Sequence, residues 1–279
     1  MKYLNVELSN YTTLKVGGRT PALYKPKNYS ELLCLLGEFQ KTGEPYRILG
    51  NGSNLIIDDK GISQAVVQLK SACAEIKHIG NGVVECGAGV PLAKFVSFCI
   101  SKELFAYPGL ASIPATLGGA IFMNAGNKGL YISRYLHSVT VFINGEIVNL
   151  FNDECEFSYR ESIFLSKPSM VILNARFTLP TYDSECSRGA RRSRHEYTRI
   201  AHDLKYPNAG TVFSKANPNA MNFLKGIRVG GCGWSSLTGN WIVNYGYGTC
   251  SDILKLINLG RVVNQIFGVN PRVELIHWK

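Results

Sequence analysis

Long apolar runs are missing from this sequence: no stretch approaches the roughly 18 consecutive apolar residues that a membrane-spanning helix requires. Residues 1–10 alternate polar and apolar types and do not join a charged head to an apolar core, so no signal peptide is expected and a cytoplasmic protein is. Paired cysteines are also missing. Cys34, Cys73, Cys86, Cys99, Cys155, Cys186, Cys232 and Cys250 are scattered, with no CxxC and no histidine at ligand spacing, which predicts reduced, mostly buried thiols and no metal site. No GxGxxG falls between an early strand and a helix, so the usual βαβ dinucleotide fold is disfavoured. There is no internal repeat and no low-complexity tract.

What is present is enough apolar material for a core. With 46% hydrophobic residues over 279 positions, the chain excludes disordered and fibrous classes and predicts two or three compact lobes. The 30 basic and 20 acidic residues leave a formal charge of +10, which suits nucleic acid, an acidic membrane or small phosphorylated ligands. Arg188, Arg191, Arg192, Arg194 and Arg199 form one local cluster, and aromatic residues are not interleaved with it as base-stacking platforms would be. It reads as a solvated helix face or as a rim for anionic ligands; neither a nucleic acid nor a membrane is expected as partner.

Along the chain, Leu32, Leu33, Leu35, Leu36 and Phe39 recur at helical spacing and stop at Gly43, predicting a helix over 29–42. Short β-type runs follow at 46–49, 55–57, 65–69 and 83–86, and Pro91 opens a helix to about residue 102. Asn144-Gly145 between 139–143 and 147–150 predicts a tight hairpin. Residues 170–179 read as a strand, 180–208 as a partly helical linker and 272–278 as a terminal strand. Thr249 with Asp252 resembles a capping box for a helix ending near residue 267. The mixture predicts an α+β protein.

Two glycine-rich segments stand out. Gly50, Asn51, Gly52, Ser53 and Asn54 precede the strand that starts at Leu55; glycine there lets backbone approach a ligand, and successive N–H groups can cradle an anion, though a plain turn explains them too. Ser112, Ile113, Pro114, Ala115, Thr116, Leu117, Gly118, Gly119 and Ala120 are followed by Met123, Asn124, Ala125 and Gly126. So long a run of small residues fits either a cofactor cradle or a tight buried crossing of chains. Neither segment holds a His or Cys poised for a covalent flavin link.

In order, residues 10–22 (NYTTLKVGGRTPA), 49–55 (LGNGSNL), 85–89 (ECGAG), 112–126 (SIPATLGGAIFMNAG), 159–162 (YRES), 210–213 (GTVF) with Asn217-Pro218, 241–244 (WIVN) and 268–274 resemble the successive motifs of UDP-N-acetylenolpyruvoylglucosamine reductases. The resemblance spans nearly the whole chain, and the short interval between Arg160 and Thr211 resembles the compact type of that family. It implies an FAD-binding region of two α+β subdomains (PCMH-type) at 1–180, a basic linker at 181–204, and a C-terminal α+β substrate lobe at 205–279 whose last strand returns to the first subdomain.

The resemblance further implies noncovalent FAD, NADPH as hydride donor, a UDP-sugar enolpyruvate as substrate, and a monomer. Residues 50–55 would hold the FAD pyrophosphate and 112–126 would line the flavin. The family's catalytic arginine matches Arg160, its glutamate Glu274, and its proton-donating serine Thr211. Ser112 and Ala115 stand where the family usually has glycine, and Thr238 replaces a histidine. Those departures motivate a diverged flavin oxidoreductase as an alternative; the charge motivates a non-catalytic basic ligand-binding protein. Taken singly, an exposed Tyr-Arg pair, a strand carboxylate and a turn threonine are ordinary surface features, and only their place among the ordered motifs marks Arg160, Glu274 and Thr211.

Overall fold

Helix Tyr29–Thr42 forms where the leucine spacing predicts it. Asn28 caps it by accepting the Glu31 N–H at 2.9 Å, and Gly43 ends it in the left-handed region at φ 69°. Its apolar face buries Leu32, Leu36 and Phe39, and the Phe39 ring stacks on Tyr46 with centroids 4.7 Å apart. Beneath it run parallel strands: Tyr46–Leu49 pairs with Ala65–Gln68, which pairs in turn with the end of Arg19–Tyr24.

A second, antiparallel sheet follows in the order Glu146–Phe151, Leu136–Ile143, Val171–Thr178, Val83–Gly87, Ile76–Gly80. Its hairpin turns at Asn144 and Gly145, both at positive φ (51° and 87°), as that dipeptide predicts. Helices Leu92–Ser101 and Leu117–Phe122 contribute Phe95, Val96, Cys99, Leu117 and Ile121 to the core. These two α+β layers belong to one compact unit, made of Met1–Lys2, Leu23–Gly50 and Ala65–Glu196.

The other unit comprises Tyr3–Ala22, Asn51–Gln64 and Tyr197–Lys279. Its four-stranded antiparallel sheet has the order Asn208–Thr211, Trp241–Asn244, Cys232–Trp234, Arg228–Val229. Helix Cys250–Ile266 packs on that unit's core, with Gly260 so close that a Cβ would lie 2.8 Å from both Phe213 and Trp234 ring atoms. Both hydrogen bonds of the Thr249–Asp252 capping box are present.

This computed structural model describes residues 1–105, 107–127 and 129–279. Its units cut the chain differently from lobes at 1–180 and 205–279, because Leu14, Val16 and Ile56 bury themselves in the same core as Val212, Phe213 and Trp234. Residues 272–278 form two strands where one was expected. Arg272–Val273 pairs antiparallel with Phe213–Lys215, and Ile276–Trp278 pairs parallel with Leu55–Ile57. The linker is one continuous helix, Ser184–Ala201, and the division between units falls within it. Six of the eight cysteines are buried, all eight are free thiols, and Cys34 and Cys186 are exposed. Among the described residues, no helix is long and apolar enough to cross a membrane and no cluster of His, Cys, Asp and Glu fits a metal.

Candidate active site

In the first unit the Tyr159-Arg160 pair forms the tip of a two-residue turn. Ser158 and Glu161 exchange N–H to carbonyl bonds of 3.2 Å on either side. Arg160 occupies the left-handed region at φ 58°, a conformation costing a side-chain-bearing residue roughly 1–2 kcal/mol. Two bonds fasten the turn: the Asn124 amide donates to the Ser158 carbonyl at 2.7 Å, and the Ser162 hydroxyl donates to the Phe122 carbonyl at 2.7 Å. Arg160 is half-buried, with its guanidinium carbon 5.9 Å from the Tyr159 ring centroid. The structure thus brings Arg160 to the end of the 112–126 segment.

That segment divides by role. Thr116 is buried and caps helix Leu117–Phe122, its hydroxyl oxygen accepting the Gly119 N–H at 3.4 Å. Leu117 and Gly118 donate their N–H groups to the Val90 and Ala88 carbonyls, so these donors are already committed to the protein. Gly118 and Gly126 serve a tight crossing: a Cβ would lie 2.8 Å from Ala88 Cβ at the first and 2.1 Å from the Tyr131 ring at the second. Gly119 is exposed, and a Cβ there would meet only Thr116 Oγ1, at 3.4 Å. Both readings of this stretch therefore have residues behind them. Ala115 is anchored through its carbonyl to the Leu92 N–H, Ile113 donates to Leu110, Pro114 is exposed, and Ala120 and Ala125 are buried. Ser112, a departure from family glycine, accepts a 3.1 Å hydrogen bond from Arg194 Nε. Gly50 adjoins the same segment, since a Cβ on it would lie 2.7 Å from Thr116 Oγ1.

Asn124 supplies the test of fit for a flavin. It is 3% exposed, stands at φ 40°, and its side-chain oxygen has no hydrogen-bond partner among the described residues. A buried acceptor left so costs about 1–3 kcal/mol unless something supplies a donor. A flavin ring N–H or ribityl hydroxyl is such a donor. The residues present fit FAD.

In the second unit, Asn51, Gly52, Ser53 and Asn54 make the turn into Leu55–Ile57. Gly52 is required by its surroundings: φ is 64°, and a Cβ would lie 2.1 Å from the Tyr11 carbonyl oxygen. Asn54 secures Glu274, donating from its amide to the Glu274 carbonyl at 3.0 Å while its own carbonyl accepts the Ile276 N–H at 3.0 Å. Glu274 also donates its N–H to the Val212 carbonyl at 2.8 Å. The structure therefore ties Glu274 to Val212, the residue after Thr211, by a backbone bond and to Asn54 by a side-chain one.

Thr211 is exposed at the end of Asn208–Thr211, beyond a register shift in which Gly210 adopts φ 74°. Such a bulge re-aims the side chain that follows it. Asn240 clamps the next residues, its carbonyl accepting the Val212 N–H at 2.9 Å and its side chain exchanging bonds of 2.9 and 2.7 Å with Phe213. Sequence reasoning missed Asn240, although the Gly239-Asn240 dipeptide ahead of the WIVN run was a readable turn signal. The Asn of that run, Asn244, ties the Leu14 carbonyl to the turn at Gly246 and Gly248. Asn217 caps helix Pro218–Leu224.

Of the arginine cluster, Arg191 and Arg194 turn toward Ser97 and Ser112, at 2.8 and 3.1 Å, while Arg188, Arg192 and Arg199 are exposed. An open groove of about 470 Å³, bordered by Lys2, Tyr24, Asn28, Glu31 and Cys34, contains none of the candidate residues.

These features define a class first. A protein-family model described as an FAD binding domain matches residues 20–150, and one described as the UDP-N-acetylenolpyruvoylglucosamine reductase C-terminal domain matches residues 202–278. UDP-N-acetylenolpyruvoylglucosamine reductase 1 of Bacillus cereus is 32% identical over 280 residues, 98% of this chain and 93% of that protein. The reductase of Caldanaerobacter subterraneus subsp. tengcongensis is 32% identical over 284 residues, again 98% and 93%. The crystal structure of the Thermus caldophilus enzyme superposes with a TM-score of 0.81 at 29% identity, covering all of this chain and 98% of that one. The chain belongs to the UDP-N-acetylenolpyruvoylglucosamine reductase family. It is an FAD-dependent oxidoreductase of the α+β, PCMH-type fold with a C-terminal domain. A non-catalytic binding protein is not favoured.

Proposed function

We propose that this protein catalyses NADPH-dependent, FAD-mediated reduction of the enolpyruvyl group of UDP-N-acetylglucosamine enolpyruvate, forming UDP-N-acetylmuramate for peptidoglycan synthesis, as a cytoplasmic monomer. The observation that carries the reading is the backbone linkage of Thr211 to Glu274 through Val212, within a chain matched along its length by that family. In this reading residues 1–180 bind FAD, 205–279 bind the sugar nucleotide, and 181–204 form a basic linker whose exposed arginines attract phosphorylated ligands.

FAD, when bound, supplies hydride transfer from NADPH to the terminal enolpyruvyl carbon. Residues 50–55 and 112–126 would hold it noncovalently, with the Asn124 side-chain oxygen accepting one of its donors. Hydride addition builds negative charge on the carbon beside the carboxylate. Arg160 offers a fixed fork of N–H donors to that charge, and Glu274, its carboxyl kept protonated or sharing a proton, acts as a second hydrogen-bond donor. Thr211 Oγ gives its proton to the electron-rich carbon and recovers one from solvent, to which it is open.

The test is product mass with NADPH stoichiometry. One NADPH consumed per substrate, and a product two hydrogens heavier, is the expected result; NADPH oxidation unaffected by the enolpyruvyl sugar nucleotide would sink the assignment.

A further inference from the structure

Thr211 stands directly opposite Trp241 in the antiparallel pairing of Asn208–Thr211 with Trp241–Asn244. Opposed residues in such a pair have Cβ atoms about 4.5–5.5 Å apart, so the Trp241 side chain neighbours that of Thr211. Trp241 is half-buried, whereas the other two tryptophans, Trp234 and Trp278, are 1% and 5% exposed.

The indole is also held in place. The His202 ring lies against it at 4.6 Å between centroids, tilted by 44°, and Tyr197 closes edge-on against His202 at 5.7 Å. The backbone on both sides of His202 is fastened by Thr238, which donates its hydroxyl to the Ala201 carbonyl at 3.1 Å and accepts the Asp203 N–H at 2.7 Å. Ser235 adds a 2.8 Å bond to the Asp203 carboxylate. The threonine standing where the family usually has histidine thus works to seat His202.

We propose that Trp241, seated by His202, determines specificity: its indole is the platform on which the pyranose ring of the substrate's N-acetylhexosamine packs. The inference rests on the proton-donor reading of Thr211. That hydroxyl must come within hydrogen-bond reach of the carbon it protonates. This carbon is bonded to the ether oxygen, and the ether oxygen to the sugar ring, so whatever adjoins Thr211 meets the sugar. The uracil lies at the far end of the diphosphate, out of reach. The C–H groups on one face of a pyranose carry slight positive charge and suit the negative face of an indole. His202 is a positioning residue here, and Trp241 the contact.

The experiment compares UDP-N-acetylglucosamine, which lacks the reacting group, with UDP, by titration calorimetry and by tryptophan emission. Wild-type protein should bind the sugar nucleotide roughly tenfold tighter than UDP, the worth of one good aromatic contact, with an emission change from Trp241 that UDP does not produce. Trp241→Ala should bring the two affinities within about twofold and Trp241→Phe should restore most of the gap. His202→Ala should narrow it, and His202→Phe, which keeps a ring, should recover it. Flavin absorbance and melting temperature confirm that each variant is folded. An undiminished preference in Trp241→Ala, with wild-type turnover of the enolpyruvyl substrate intact, overturns this inference alone. Wild-type protein that neither binds nor turns over the sugar nucleotide overturns the functional reading along with it.

Discussion

Arg160 sits half-buried in a left-handed turn bolted at Ser158 and Ser162 to residues 122–124. Thr211 stands exposed at a strand end, aimed by the Gly210 bulge and steadied by Asn240 one residue further on. In the proposed reaction the first group meets developing charge, and stabilisation of that kind depends on donors that do not reorganise during reaction. The second must give up a proton and regain it, which solvent access favours. Backbone strain at Arg160 and solvent exposure at Thr211 therefore match the two duties proposed for them.

The largest expected effect breaks the Thr211 side of that contrast. Thr211→Ala should slow substrate-driven flavin reoxidation by roughly 10² to 10⁴, the range for a lost general acid, without slowing flavin reduction by NADPH. Thr211→Ser should retain turnover, because the hydroxyl and not the methyl carries the step. Stopped-flow absorbance separates the two half-reactions, and an alanine variant reoxidising at the wild-type rate would assign the proton to water or to another residue.

Next come the charge-stabilising groups. Arg160→Ala and Glu274→Ala should each lower turnover by about 10² to 10³, comparable to removing one preorganised donor. Normal reoxidation in the arginine variant would remove its role.

A smaller effect isolates the strain. Arg160→Gly and Arg160→Ala both lose the guanidinium, yet only glycine adopts φ 58° without penalty, so the glycine variant should be more stable than the alanine variant by about 1 kcal/mol in urea denaturation. Equal midpoints would show that the turn is unstrained.

The smallest effect concerns the thiols. Burial pushes Cys73, Cys99, Cys155, Cys232 and Cys250 up to about 12, and Cys86 higher still, so near neutral pH these stay protonated as well as enclosed. A thiol reagent should therefore label two sites quickly in the native protein, Cys34 and Cys186, and eight after denaturation. Rapid native labelling of more than two would contradict the packing described.

Much of the fold was legible because its signals are local. The Asn144-Gly145 turn, the Asn28 and Gly43 ends of a helix, and the Thr249–Asp252 box all act within a few residues of themselves. Helix Leu117–Phe122 was hidden by Gly118 and Gly119, which oppose helix formation, Gly118 being kept for close approach to Ala88. Helix Pro218–Leu224 was legible in principle, with Asn at its cap and Pro at its first position, but the pair was read only as part of a motif. Strand Ile76–Gly80 escaped because its Lys77-His78 centre is polar and exposed. The joining of Leu14, Val16 and Ile56 to the C-terminal core was not legible at all, since contacts so distant in sequence leave no periodic mark. At the candidate site, residue identities could be read from ordered motifs. The left-handed turn at Arg160 and the Asn54–Glu274 bond depend on partners remote in sequence.

The most direct measurement is an anaerobic single-turnover titration of the purified holoprotein, followed by flavin absorbance. One equivalent of NADPH should bleach the oxidised flavin band, and subsequent addition of UDP-N-acetylglucosamine enolpyruvate should restore it stoichiometrically, while UDP-N-acetylglucosamine leaves it bleached. A flavin that NADPH reduces but the enolpyruvyl sugar nucleotide fails to reoxidise would contradict the account.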